Sequence, residues 1–155
     1  MPMQPYTIHS ANWRDLGDLR RIEEEVFPKD AWPIWDLIGV LTLPSTVRLK
    51  AVTDGHMIGF AAGDPRRRED TGWVTTIGVL KAFQHNGIGA ALLAATEQQL
   101  ALPRIRLCVR RSNLPAVHLY EHAGYKQVEV WNAYYNDGED GLIFEKISSL
   151  METKD

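Results

Sequence analysis

The chain has 155 residues, 45% of them hydrophobic and 24% charged, which is typical of a folded globular protein and excludes a disordered one. We expect a single domain over 1–155 with its core at about 5–147. The formal net charge of −3 gives no support for nucleic-acid binding, which would need a basic face. Cys108 is the only cysteine, which excludes an internal disulfide. No apolar run reaches the ~20 residues of a membrane helix and the start lacks signal-peptide features, so we expect a cytoplasmic protein without nucleic-acid or membrane partners.

Hydrophobic periodicity and turn residues predict a mixed α/β sheet of six to seven strands flanked by about four helices. Asn12 favours a helix start, and Asp54-Gly55 favours a two-residue hairpin turn. Residues 64–70 are expected to form a charged loop. The predicted elements, in chain order, are a strand at 6–10, helices at 12–27 and 34–42, strands at 46–53, 56–63 and 72–80, a helix at 87–101, a strand at 104–110, a helix at 114–123, and strands at 125–135 and 141–147.

The topology follows from how these elements are connected. The three strands between 46 and 80 suit an antiparallel meander. The strand–helix–strand unit at 72–110 suits a parallel pair with a right-handed crossover.

A glycine-rich turn between a strand and an alanine-rich helix is the most informative segment. It reads Gln-His-Asn-Gly-Ile-Gly-Ala over 84–90. Glycines permit close approach of the backbone to a ligand, and free N–H groups at a helix start attract an anion such as a diphosphate. The spacing fits neither a dinucleotide fingerprint nor a Walker P-loop. From these residues alone, a loop that binds nothing is an equally good interpretation.

Three segments together resemble the GNAT acyltransferase superfamily. The turn at 84–90 is similar to the family's Gln/Arg-x-x-Gly-x-Gly/Ala motif, and the strand at 76–79 is similar to its acyl-CoA strand. Residues 109–125 contain Asn-x-x-Ala, Leu-Tyr and Gly-Tyr in the order of the family's second signature. The resemblance covers roughly 5–147 and implies a GNAT-like fold.

The resemblance implies acetyl-CoA as co-substrate and assigns residues to its binding. Backbone groups of Ile77 and Val79 would bind the pantetheine arm, and Asn113 would reach its lower end or the sulfur. Tyr120 stands at the position of the general acid that protonates the departing thiolate. Without the family, a core aromatic is the better interpretation of Tyr120. The implied cofactor-binding residues are Ile77, Gly78, Val79, Gln84, His85, Asn86, Gly87, Ile88, Gly89, Ala90 and Asn113.

Two further segments resemble the ribosomal-protein-alanine N-acetyltransferase branch of the family. Tyr134 and Tyr135 are similar to a Tyr-Tyr strand that flanks the peptide N-terminus. The region that follows the first helix is similar to that branch's acceptor loop. Sheet-edge packing and plain core packing remain open for these aromatic residues. The implied substrate contacts are Glu24, Phe27, Pro28, Trp32, Tyr134 and Tyr135.

One departure from that branch concerns the general base. The branch has Leu-Glu-Val-Arg, whereas this chain has Cys108 in place of the glutamate. A thiol in apolar surroundings has a raised pKa and is a poor base. A peptide α-amine, with a pKa of about 7.7, is roughly one-sixth neutral at pH 7, whereas a lysine is almost wholly charged, so an α-amine tolerates a weak base better. Glu24 and Glu129 are the fallback bases.

We therefore predict an acetyl-CoA-dependent N-acetyltransferase that acts on a primary amine, first of all a peptide or protein N-terminus. A small-molecule amine or polyamine acceptor and a non-catalytic acyl-CoA sensor remain as alternatives. His118 and His122 have a metal-like spacing but lack a third ligand, so we expect no metal. A monomer and a homodimer are both compatible with the sequence.

Overall fold

A seven-stranded mixed sheet flanked by four α-helices forms the part of the chain that this computed structural model describes, residues 5–147, and it confirms the predicted fold class. The strands are β1 (Thr7–Ser10), β2 (Val47–Thr53), β3 (His56–Arg66), β4 (Thr71–Val79), β5 (Arg104–Arg110), β6 (Lys126–Trp131) and β7 (Gly141–Ile147). The helices are α1 (Leu16–Val26), α2 (Ile34–Thr42), α3 (Ile88–Leu100) and α4 (Leu114–His122).

The strand order is β1-β2-β3-β4-β5-β7-β6, and the β4–β5 pair alone is parallel. The α3 crossover connects that pair, as predicted. Each face of the sheet has its own buried core: Phe60 packs with α1 and α2 on one face, and the next residue, Ala61, packs with α3 on the other. This alternation is the expected result of the two-residue period of a strand.

The strands β4 and β5 separate part-way along their length. Their parallel pairing runs from Thr71–Arg104 to Val74–Leu107 and stops there. At the same level, β4 has one more residue than β3, because Val74 pairs with Gly63 and Thr76 with Ala62. Such a bulge bends and twists a strand away from its ladder. The bend opens a gap between the second halves of β4 and β5.

Two predicted boundaries are wrong. The charged segment 64–70 is not all loop, because β3 continues to Arg66, where β4 supplies hydrogen-bonding partners for the backbone. The predicted strand 125–135 ends at Trp131, since Ala133 has a φ of 50° that breaks the extended ladder. Tyr134 and Tyr135 therefore lie on a loop at 132–140 and not on a strand.

Candidate active site

The glycine-rich turn before α3 leaves a row of backbone donors free. Among the described residues, none of the N–H groups from His85 through Ala90 donates a hydrogen bond to the protein. His85 and Gly87 have φ values of 66° and 79°, and this left-handed geometry turns successive amides to one side. The Asn86 side chain fixes the turn by donating to the carbonyls of Phe83 and Gln84, at 3.2 and 3.3 Å.

The Gln84 side chain has a structural contact in the same turn. Its amide donates to the Val79 carbonyl at 2.9 Å and so ties the turn to the end of β4. A Cβ added at Gly89 would lie at ordinary contact distances, 3.4 Å from Leu119 of α4 and 3.9 Å from Val79, so α3 begins close to both. The free amides and the positive end of the α3 dipole make an arrangement that fits a diphosphate.

A cavity of about 670 Å³ occupies the gap between β4 and β5. Its wall combines β4, β5, α4, the end of α1, the segment that follows α1, and the 132–140 loop. The predicted site residues that line it are Phe27, Pro28, Trp32, Ile77, Asn113, Tyr120, Tyr134 and Tyr135. A single space therefore brings together most of the acyl-side and acceptor-side residues that the sequence suggests.

Tyr120 combines a buried ring with an accessible hydroxyl. The residue is 6% exposed, and its ring lies 6.0 Å from Tyr125 and 6.4 Å from Phe144 in the core. Its hydroxyl makes no hydrogen bond to the described residues, yet it is not sealed from the cavity. Burial raises the pKa of Tyr120 above its ordinary value, so the phenol keeps its proton at neutral pH. The ring is a core aromatic, and the hydroxyl is a free donor in the cavity.

The contacts of Asn113 and Gly78, two of the predicted cofactor-binding residues, explain why these residue types occur at the two positions. The Asn113 side-chain oxygen accepts from the N–H of Ala116 at 3.3 Å and caps α4, so its side-chain nitrogen remains for the cavity. A Cβ at Gly78 would lie 3.1 Å from the Phe27 ring, so this glycine lets α1 end directly over β4.

The structure corrects both fallback bases. Glu24, which the resemblance implies as a substrate contact as well as a fallback base, is exposed, pairs with Arg20 at 3.2 Å and does not line the cavity, so it is retained in neither role. Glu129 is exposed on β6 and is also absent from the cavity wall. The carboxylates in the wall are instead those of Asp30 and Glu23, and Glu23 is only 2% exposed. Helical geometry explains this, because Leu19, Ile22 and Glu23 follow the spacing of one buried face.

Cys108 lies in the cavity wall where the branch glutamate would stand. Its sulfur is 3.8 Å from the Tyr135 hydroxyl. Burial raises the pKa of the thiol, as the sequence predicts, while the hydrogen bond with Tyr135 partly opposes this. Cys108 therefore remains a neutral thiol near pH 7.

Arg110 connects the two loops that border the side of the cavity where the resemblance implies the acceptor. Its guanidinium binds both oxygens of Asp30, after α1, at 2.6 and 2.7 Å, and contacts Asp137 and Glu139 of the 132–140 loop at 2.9 and 2.8 Å. It also lies 4.2 Å from the centre of the Tyr135 ring. The planar fork of arginine suits such multiple contacts.

We expect Arg110→Ala to raise the KM for the acceptor about tenfold while the Kd for acetyl-CoA stays unchanged, because the variant frees both loops that border the acceptor side. Arg110→Lys keeps the charge but loses the fork, and we expect an intermediate KM. Steady-state kinetics and calorimetry measure the two quantities. An acceptor KM unchanged in Arg110→Ala would contradict this role.

An aromatic wall lines the cavity along the sheet, and sequence reasoning missed its two tryptophans. It consists of Tyr135, Tyr134, Trp131 and Trp73, whose successive ring centres are 5.0, 5.2 and 5.8 Å apart. Arg66 lies 5.7 Å from the Trp73 ring at its far end. Trp73 and Trp131 are on different strands, so only the sheet order brings them together.

Within residues 5–147, no group of three or more histidine, cysteine, aspartate or glutamate side chains is arranged to hold a metal ion. Across the same residues, no helix has both the length and the apolar character that crossing a membrane demands.

Comparison with known proteins gives consistent matches. The N-alpha-acetyltransferase of Sulfurisphaera tokodaii is 29% identical over 152 residues, which cover 89% of this chain and 90% of that protein. The N-terminal acetyltransferase A complex catalytic subunit NAA10 of Arabidopsis thaliana is 32% identical over 146 residues, or 90% of this chain and 76% of that protein. The crystal structure of the ribosomal-protein-S18-alanine N-acetyltransferase from Escherichia coli has a TM-score of 0.82 and 26% identity, and covers 92% of this chain and 94% of that one.

The profile of the Acetyltransferase (GNAT) family matches residues 7–125. With the strand separation and the free amides before α3, this match shows that the chain belongs to the Acetyltransferase (GNAT) family. It is an acetyl-CoA-dependent N-acetyltransferase. The resemblance seen in the sequence is confirmed.

Proposed function

We propose that the chain transfers the acetyl group of acetyl-CoA to the α-amine of a peptide or protein N-terminus, by direct attack in a ternary complex. The observation that carries this proposal is the row of four aromatic rings that lines the same cavity as Tyr120. The Tyr120 hydroxyl opens into the cavity, and the wall continues from Tyr135 to Trp73. A small amine needs only the part of the cavity beside Tyr120, whereas a peptide uses the aromatic wall for the residues that follow its first.

The acyl side of the proposal rests on the gap and on the free amides. The amides of His85 through Ala90 hold the diphosphate, and the edge of β4 that faces β5 at Ile77–Val79, which has no strand partner on that side, binds the pantetheine arm. This directs the thioester into the gap beside Tyr120 and Asn113. Phe27, Trp32, Tyr134 and Tyr135 contact the acceptor, and the names of the relatives above support an α-amine as the acceptor group.

A pair of peptides tests the acceptor. One has a free N-terminus and an internal lysine, and the other is identical but blocked at its N-terminus. With acetyl-CoA, we expect mass spectrometry to locate the acetyl group on the free α-amine and to find little product from the blocked peptide. Acetylation of lysine in both peptides, or acetylation of a polyamine but of neither peptide, would contradict the proposal.

A further inference from the structure

Glu23 places a buried carboxylate at the point where β4 and β5 separate. It is 2% exposed and lines the cavity. Its Oε1 accepts a hydrogen bond from the Thr76 hydroxyl at 3.1 Å. Thr76 follows the bulged residue of β4, so the carboxylate is held beside the opening of the gap.

This carboxylate has no positive partner among residues 5–147. The three cations of the cavity wall are directed to other carboxylates: Arg110 to Asp30, Lys29 to Asp137, and Arg66 to Asp64. An unpaired buried charge is costly, and a cation that enters the cavity would compensate it.

The remaining ionisable side chains of the wall are weak acids, namely Cys108, Tyr120, Tyr134 and Tyr135. Burial raises the pKa values of Cys108, Tyr120 and Tyr135, so these three do not become bases near neutral pH. Burial also raises the pKa of Glu23, against the lowering effect of hydrogen bonds from Thr76 and from the Trp32 backbone. The raised pKa of Glu23 lies closer to the pKa of an α-amine than that of an ordinary carboxylate does, which makes proton transfer from the ammonium less unfavourable.

We propose that Glu23 binds the ammonium group of the acceptor in this cavity and takes its proton before the nitrogen attacks. The inference rests on the proposed function and assigns to Glu23 the task that a glutamate at position 108 would have. The Thr76 hydroxyl positions the carboxylate, and Asp30 is not available because Arg110 holds both of its oxygens.

The ammonium gives one proton to Glu23, and the neutral nitrogen then forms the C–N bond with the thioester carbonyl. As the C–S bond breaks, Tyr120 gives its proton to the sulfur, and the second proton of the nitrogen restores the phenol. Glu23 releases the first proton to solvent. The products are the acetamide, CoA thiol and one proton.

A pH series of kcat/KM with wild type and Glu23→Gln tests this role. Without Glu23, only acceptor molecules that are already neutral in solution can react. The neutral fraction of an α-amine is about 6% at pH 6.5 and about 95% at pH 9. We expect the wild-type rate to exceed the variant rate by about tenfold or more at pH 6.5, and this ratio to shrink roughly tenfold by pH 9. A purely structural role of Glu23 would make the ratio independent of pH.

Glu24→Gln is the matched control, because its carboxylate is exposed on the next residue, and it should follow the wild-type profile. Glu23→Asp keeps the carboxylate and should recover part of the rate at pH 6.5.

Thermal melting provides a second readout. A raised carboxyl pKa means that ionisation destabilises the folded state as pH rises through it, so Glu23→Gln should gain Tm relative to wild type between pH 4 and pH 7.5.

Two results would overturn the inference: a wild-type rate at pH 6.5 in Glu23→Gln, or a loss of rate that is equal at every pH. Either result leaves acetylation of N-terminal peptides by the wild type intact, so failure of this inference is distinct from failure of the proposed function. If the wild type acetylates a different class of amine, the ratio of wild-type to Glu23→Gln kcat/KM must fall as the pH rises through the pKa of that amine.

Discussion

Tyr120→Phe should lower kcat by about ten- to a hundredfold, with little change in the Kd for acetyl-CoA. The thiol of CoA has a pKa near 8.5, so it leaves as an anion unless a donor supplies a proton. Tyr120 is the phenol in the cavity wall with a buried ring, an unbonded hydroxyl and a raised pKa. The substitution removes only the oxygen and leaves the ring packing unchanged. Single-turnover kinetics measures the chemical step directly.

Tyr125→Phe is the matched control for this substitution. Its ring packs beside Tyr120, but its hydroxyl donates to Glu97 at 2.6 Å, and it does not line the cavity. We expect it to cost about 2 kcal/mol in the free energy of unfolding, because the lost hydrogen bond goes to a carboxylate, and to leave kcat unchanged. Equal kcat values for Tyr120→Phe and wild type would exclude the acid role.

Gly87→Asp should weaken acetyl-CoA binding roughly thirtyfold. A Cβ at Gly87 would meet no heavy atom within 4 Å, so the new side chain has room, and it places a negative charge at the start of α3. Two unit charges 4 Å apart interact by about 4 kcal/mol near a protein surface, and exposure reduces this to about 2 kcal/mol here. Calorimetric titration gives the Kd.

Gly87→Asn separates charge from backbone strain. Asparagine and aspartate have the same shape and both tolerate the left-handed φ of 79°. We expect Gly87→Asn to bind acetyl-CoA within a few-fold of wild type, because the charge of the aspartate causes the loss. Equal weakening by both variants would mean that backbone geometry, and not charge at the diphosphate, determines affinity.

Much of the fold was predictable because its signals are local. The Asp54-Gly55 pair adopts φ values of 49° and 76°, as a hairpin turn of this kind requires, and the predicted helix at 34–42 matches α2. Residues 132–135 were predicted as strand and not as loop, because their shape depends on Asp140, which accepts from the N–H of Ala133 seven residues away. Such a contact produces no hydrophobic periodicity from which it could be predicted.

The sequence contains enough information to identify which of Glu23, Glu24 and Glu25 is buried. Successive residues of a helix differ by about 100° in direction, so only one of the three joins the stripe of Leu19 and Ile22. Glu23 occupies that position, and the spacing alone identifies it as buried. Its proximity to Thr76 was not predictable, because this contact depends on how α1 packs across β4.

Titration calorimetry with acetyl-CoA and with S-acetylpantetheine, which has the same thioester arm but no diphosphate, tests the central claim most directly. If the free amides at the start of α3 hold the diphosphate, acetyl-CoA binds at least about a hundredfold more tightly, or about 2.7 kcal/mol. Equal affinity for the two compounds, or no binding of acetyl-CoA, would contradict the account.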